Sequence, residues 1–217
     1  MIDPQEVASR VASVRDDISH LASHSVSIVA VTKTLSTDAW AAAQLAGCDG
    51  IGENYAQELL EKIQVTPAPL PVHFIGAIQS NKVRALAPYV ALWQGVDRES
   101  VITEIAKRAP GASILLQVNT TGEDSKSGMN PTHVDRLRTF AEKAGLGVKG
   151  LMTLGPTDGA VAVIGSSLMA LRALADEHHL HECSMGMSGD YKIGLECGST
   201  IIRIGSMLFG ARSNPAR

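Results

Sequence analysis

Two hydrophobic periods alternate along this chain. Between Asp3 and His24 the apolar residues Val7, Val11, Val14, Ile18 and Leu21 recur at three- and four-residue spacing, which predicts an amphipathic helix with those residues on one face. The run Ser27-Ile28-Val29-Ala30-Val31-Thr32 is short and β-branched and ends at Lys33. Ser36-Thr37-Asp38 and the alanine-rich stretch Ala39 to Ala46 follow it, so the order is strand, loop, capped helix. The alternation continues with strands expected at Cys48 to Gly52, Val72 to Gly76, Val90 to Val96, Ser113 to Asn119, Gly147 to Thr153, Glu182 to Gly186 and Thr200 to Gly205. Helices are expected between most of them, at Tyr55 to Gln64, Arg98 to Arg108, Pro131 to Ala144 and Val161 to His178. Repeated βα units predict a parallel sheet buried on both faces.

Eight such units either close into a barrel or form an open, doubly wound sheet. The polar residues favour closure. Lys33, Glu53, Asn54, Asn81, Asn119, Thr153, Ser184, Ser188, Arg203 and Ser206 all fall at or just after strand ends. Functional sites of (β/α)8 barrels are built there, from loops contributed by many strands. No linker, low-complexity tract or internal repeat divides the sequence. The expected architecture is therefore a single (β/α)8 TIM barrel spanning residues 1–217, with an extra N-terminal helix.

Composition narrows the partners. Nineteen Lys and Arg against 22 Asp and Glu give a formal net charge of −3, no electrostatic footprint for nucleic acid or an anionic membrane, so a small-molecule partner is expected. The start Met1-Ile2-Asp3-Pro4 lacks the basic and apolar regions of a secretory signal, and no apolar stretch approaches a membrane span. Cys48, Cys183 and Cys197 are widely spaced and odd in number, indicating neither a disulfide framework nor a zinc site; a cytoplasmic protein is expected.

Lys33 ends an otherwise apolar strand. A lysine at an inward-facing strand end loses solvation and becomes a nucleophilic amine, which a Schiff base with an aldehyde requires. The ordinary alternative is a lysine snorkelling to the rim or pairing with Glu53. Near the other end, Ser184-Met185-Gly186-Met187-Ser188-Gly189-Asp190 and Gly198 to Ser206 are rich in small residues, where backbone amides and hydroxyls can approach a phosphate. Phosphate sites of barrels often follow strands seven and eight, which these segments contain.

Those residues sit within longer blocks. Ala30-Val31-Thr32-Lys33, Gly52-Glu53-Asn54-Tyr55-Ala56-Gln57-Glu58, His73-Phe74-Ile75-Gly76-Ala77-Ile78-Gln79-Ser80-Asn81-Lys82, Ser125-Lys126-Ser127-Gly128, Gly150-Leu151-Met152-Thr153, Ser184 to Ser188 and Gly198 to Arg212 follow one another almost end to end. In this the chain resembles the YggS/PROSC family of pyridoxal phosphate-binding proteins, whose fold-type III barrel is like the N-terminal domain of alanine racemase. It departs from the family pattern at Ile51 (usually Phe), at Ala77 (usually Pro) and in the spacer Tyr191 to Cys197.

The resemblance implies a protein of vitamin B6 homeostasis that holds pyridoxal 5′-phosphate (PLP) as a Schiff base on Lys33, without strong catalysis and without a catalytic residue. It implies that Ser184, Ser188, Gly205 and Ser206, with the backbone about Gly186 and Met187, surround the phosphate, and that Arg203 meets the pyridine nitrogen. A guanidinium there disfavours protonation of that nitrogen and weakens the ring as an electron sink; the ordinary alternative is an ion pair of Arg203 with Glu196 or Asp190. Asn54 is implied as a polar neighbour of the cofactor, with His73, Asn81, Asn119 and Met152 as wall residues, although a lone strand histidine is commonly a packing residue. Apo-PLP enzymes are implied as recipients and a monomer as the state. The segment Thr120 to Met129 reads as a mobile loop over the mouth.

Three other readings compete with this one. An amino-acid racemase or related weak PLP enzyme on the same lysine is the main alternative. A racemase needs acid and base groups on both faces of the substrate, and Tyr55, Tyr89 and Tyr191 do not match the tyrosine that serves one face in alanine racemases. The stretch Gly76 to Lys82 resembles a P-loop in part, but Asn81 and Val83 replace its second glycine and its magnesium-binding hydroxyl. His178 and His181 could share a helix face, yet nothing completes a metal site, and none is expected.

Overall fold

The eight expected strands are all present and all parallel in the computed structural model, which describes residues 2–123, 126–156 and 159–210. They are β1 (Ser27–Val31), β2 (Gly50–Glu53), β3 (Val72–Phe74), β4 (Val90–Val96), β5 (Ser113–Gln117), β6 (Gly147–Met152), β7 (Glu182–Met187) and β8 (Ile201–Ile204). Each pairs with the next, and β1 pairs with β8 through Ser27↔Ile201 to Ala30↔Ile204, so the sheet closes. That pairing excludes the open doubly wound sheet.

The helices among the described residues are α1 (Pro4–Leu21), α2 (Asp38–Leu45), α3 (Ala56–Val65), α4 (Ser80–Leu86), α5 (Glu99–Arg108), α6 (Val134–Lys143), α7 (Val161–Glu177), α8 (Tyr191–Glu196) and α9 (Ser206–Phe209). The expected helix from Pro131 begins instead as a 3₁₀ turn, Pro131–His133, capped by the Asn130 side chain, and only then becomes α6. α4, α8 and α9 fall in stretches that the hydrophobic pattern left unassigned.

Alternation along the strands separates an inner from an outer layer. Ile28 and Ala30 of β1 pack outward with α1 and α2, whereas Val29 turns inward to meet Leu115, Met152 and Ile201 in the barrel's interior. The outer layer holds the larger side chains, including Trp40, Phe74 and Trp93. α1 starts where Asp3 accepts a hydrogen bond from the Gln5 amide and Pro4 presets the first turn, and it buries Val7, Val11, Val14 and Ile18 beside the β8–β1 seam.

At the C-terminal ends of β2 to β4 the backbones come unusually close. A Cβ on Gly76 would lie 2.0 Å from the carbonyl oxygen of Asn54, and one on Gly95 would lie 2.4 Å from that of Gly76. Only glycine permits this approach.

Candidate functional site

A cavity of about 620 Å³ opens at the C-terminal ends of the strands, the size of an ordinary small-molecule site. Lys33, Asn54, Met187, Ser188, Arg203, Gly205 and Ser206 all line it. The apolar part of the wall comes from Val31, Ile75, Leu154 and Ile164. Strand alternation accounts for the arrangement: Val31 and Lys33 point in from the end of β1 while Thr32, between them, is fully buried on the outer side.

Glu53 illustrates the same rule. It points outward, where its Oε1 accepts from Thr32 Oγ1 at 2.7 Å, Trp40 Nε1 at 3.0 Å and Lys62 Nζ at 2.7 Å. The pairing of Lys33 with Glu53 is thereby replaced by a Lys62–Glu53 pair behind the barrel wall.

Arg203 is 2% exposed. Its Nη1 donates to Ser184 Oγ and its Nη2 to the Thr153 carbonyl, both at 2.7 Å. Among the described residues it has no carboxylate within ion-pair distance, so the alternative pairs with Glu196 or Asp190 do not form. Burial pushes its pKa down to about 10, partly offset by the charge of Asp190, and the group stays cationic at neutral pH.

Ser188 supplies the other half of the site. Its Oγ accepts from the backbone amides of Gly205 at 3.1 Å and Met207 at 3.3 Å, so two main-chain donors already converge on one oxygen at the cavity wall. Asp190 Oδ1 accepts from the Met187 amide at 2.5 Å and fixes the turn that carries Ser188. Lys126 and Ser127 reach the cavity from the 120–129 loop, and Lys126 Nζ donates to the Gly155 carbonyl at 3.0 Å. The ionisable lining residues among those described are thus Lys33, Lys126 and Arg203 against Asp190.

Other expected residues lie elsewhere. His73, Met152, Ser184 and Gly186 are not part of the cavity wall. Met152 packs with Val29, Leu115 and Ile201 inside the barrel, and Gly186, at φ +90°, gives room for Tyr191 and Gly194. Ser184 donates to Gln94 Oε1 at 2.6 Å, and Gln94 Nε2 lies 2.8 Å from His73 Nδ1. Burial pushes the pKa of His73 down to about 4 against the opposing charges of Glu182 and Asp49, so the ring is neutral at pH 7. Asn81 is exposed on α4. Asn119 organises the 120–129 loop: its Oδ1 accepts from the amides of Thr121 and Gly122, and its Nδ2 donates to the Glu123 carbonyl. Ser125 of the Ser125-to-Gly128 block, Asp124 in the same loop and Arg212 lie outside the described residues.

Gln94, Gln117 and Leu154 were not singled out by the sequence, whereas Lys126 was named only within a block and Asp190 only as a loop residue and an alternative partner for Arg203. Gln94 and Gln117 sit on β4 and β5, and only inward alternation toward a common centre could have found them. No group of three metal-ligating side chains occurs among the described residues. α7 ends at Glu177 and His179 adopts φ +54°, so His178 and His181 do not share a helix face.

The residues present fit an anionic aldehyde of this size. Two amides and a hydroxyl converge at one wall, and a buried guanidinium has only neutral acceptors. Residues 2–213 match the alanine racemase N-terminal domain family. A pyridoxal phosphate homeostasis protein of Pasteurella multocida is 32% identical over 95% of this chain and 97% of its own, and that of Escherichia coli is 33% identical over the same shares. Among solved structures, an unknown protein from Bifidobacterium adolescentis superposes with a TM-score of 0.88 at 32% identity, covering 96% of this chain and 98% of its own. PipY of Synechococcus elongatus with PLP bound gives 0.80 at 29% identity, covering 94% and 100%. An alanine racemase of Clostridium difficile, 14% identical, shares the fold with a TM-score of 0.75; the match covers 95% of this chain and 57% of the racemase.

Proposed function

This chain belongs to the alanine racemase N-terminal domain family and, within it, to the pyridoxal phosphate homeostasis proteins, and from that premise we propose that it holds PLP covalently through Lys33. The observation that carries the reading is that Lys33, the buried Arg203 and the amide pair on Ser188 open on one cavity. PLP supplies an aldehyde that reacts reversibly with amines and a ring that withdraws electrons. Lys33 Nζ is the amine that takes the aldehyde. The amides of Gly205 and Met207, with the hydroxyls of Ser188 and Ser206, bind the phosphate. Asn54 is a polar neighbour of the ring, and Val31, Ile75 and Leu154 exclude water from its faces. His73, Met152, Ser184 and Gly186 act from behind the wall, Ser184 by orienting Arg203.

Arg203 favours holding over turnover. A guanidinium has no proton to give up at physiological pH and no acceptor, so Arg203 against a ring nitrogen would disfavour its protonation and would leave the ring a weak electron sink. Among the described lining residues there is no tyrosine, histidine or cysteine to serve as a second acid–base group. The role proposed is therefore to keep a reactive aldehyde in reversible store and deliver it to apo-PLP enzymes, with racemisation at most a slow side reaction. The cytoplasm suits that role. All named binding groups come from one chain, which makes a monomer the expected state.

The absorbance spectrum of the protein incubated with PLP, before and after borohydride reduction, tests this directly. The expected outcome is a band that reduction fixes onto the Lys33 peptide and that Lys33→Ala lacks; the loaded protein then activates an apo-PLP enzyme. Attachment mainly at another lysine, or no band, sinks the assignment of Lys33.

A further inference from the structure

Both peptide groups flanking Lys33 are gripped from outside the barrel by one helix. Lys62, on α3, donates from Nζ to the carbonyl of Thr32 at 2.8 Å, and also to Glu53 Oε1 at 2.7 Å and Glu58 Oε1 at 2.6 Å. Its three ammonium protons thus have three acceptors. Glu58, one turn earlier on α3, accepts at Oε1 from the backbone N–H of Thr34 at 2.6 Å. Thr34 has φ +65°, a left-handed conformation that a β-branched residue adopts only when its surroundings enforce it.

The side chains of Lys62 and Glu53 are 7% and 0% exposed, and Glu58 is 22% exposed. Burying an ion pair costs desolvation, and apolar side chains of similar volume usually serve stability as well. Apolar side chains could not accept from the Thr34 amide or donate to the Thr32 carbonyl. The network also reaches the second cavity strand, because Glu53 directly precedes Asn54. With Thr32 and Glu53 held outward, strand alternation sends Lys33 and Asn54 inward.

We propose that Glu58 and Lys62 are positioning residues for Lys33: they lock the left-handed turn at Thr34 and so aim the Lys33 amine into the cavity. The inference rests on Lys33 being the attachment amine. Neither residue lines the cavity, so they act through the backbone alone.

Lys62→Met would strand the buried charge of Glu53, so the informative variant is Glu58→Ala, which leaves the Lys62–Glu53 pair in place. Binding is measured for PLP and for pyridoxamine 5′-phosphate, which carries the same ring and phosphate but no aldehyde. Loss of a charge-assisted hydrogen bond predicts about ten-fold weaker PLP binding, with pyridoxamine phosphate held within about two-fold. In a Thr34→Gly background, where φ +65° carries no penalty, Glu58→Ala should lose most of its effect. In ligand-free protein, competitive acetylation should modify Lys33 about three-fold or more faster in Glu58→Ala, relative to the exposed Lys149, because a loosened turn frees the amine. Equal losses for the two ligands, no loss for either, or the same loss in the Thr34→Gly background would overturn the proposal. If the wild type forms no adduct at Lys33, the cofactor reading itself fails, and the acetylation rates alone decide: unchanged labelling removes the clamp as well.

Discussion

Arg203 is oriented by a chain of hydrogen bonds whose direction is fixed at both ends. The guanidinium can only donate, so Ser184 Oγ accepts from it and gives its own proton to Gln94 Oε1; the amide nitrogen of Gln94 then faces His73 Nδ1, which must accept. This assigns the proton of neutral His73 to Nε2. Protonating His73 would place a donor against a donor and break the chain, which agrees with a pKa pushed from 6.5 down to about 4 by burial. The sign of the linkage follows: between those values the unfolded chain binds a proton that the folded protein refuses, so this contribution is present above pH 6.5 and is lost as pH falls toward 4. The unfolding free energy from urea titration should therefore fall more for the wild type than for His73→Gln between pH 7 and pH 5, by at most roughly 2 kcal/mol. Parallel pH profiles for the two proteins would show that His73 is not the group responsible. The chain also explains why Ser184 and His73 could be named from the sequence while Gln94 could not. The first two sit in recognisable blocks, whereas Gln94 interrupts an apolar strand and acquires meaning only when β3, β4 and β7 surround one interior.

At the scale of elements, legibility followed length and period. The strands were readable because short, mostly apolar runs of three to seven residues stand between loop residues, and α1, α5 and α7 because each repeats its apolar face over several turns. α4, α8 and α9 have seven, six and four residues, too few for a period. Two of these short helices frame the site, so the backbone details of the proposed phosphate cup were the least legible part of it. Glycine carried another signal that sequence alone could not resolve. Gly76 looked like part of a partial P-loop, but its role is to let the end of β3 lie against the Asn54 peptide, where a Cβ would approach to 2.0 Å. Gly76→Ala must push apart two strand ends that bear cavity residues, and a loss of about 2–3 kcal/mol in unfolding free energy is expected from such overpacking. Denaturant unfolding measures it. A midpoint indistinguishable from the wild type would mean that the strand ends have slack, and that Asn54 is not held by this contact.

For the whole molecule, the decisive connection is the β8–β1 seam and the helix laid over it. α1 is not one of the eight repeating units, yet it braces the elements that frame the cavity: Arg10 Nη1 donates to the Leu208 carbonyl of α9 at 2.8 Å, and Asp17 accepts from Tyr191 Oη at 2.5 Å and Lys192 Nζ at 2.8 Å on α8. The neighbouring cations and the hydroxyl hold the Asp17 carboxyl below its usual range. We propose that the chain from end to end is one cooperative unit, because a barrel closed through β1 and β8 has no edge from which a part can peel away. Trp93, on β4, belongs to a different hydrophobic cluster from α1 and reports on a separate sector, whereas Trp40 lies on α2, which packs against α1, so the fluorescence is read in a Trp40→Phe background. Val14→Ala, at a fully buried position of α1, should cost about 2 kcal/mol and should move the tryptophan fluorescence transition and the far-ultraviolet circular dichroism transition by the same amount. If the dichroism instead showed an early step with the fluorescence unmoved, α1 and the elements it braces would form a separate unit. The proposed phosphate cup would then open without the barrel unfolding, and release of the cofactor would be governed by α1.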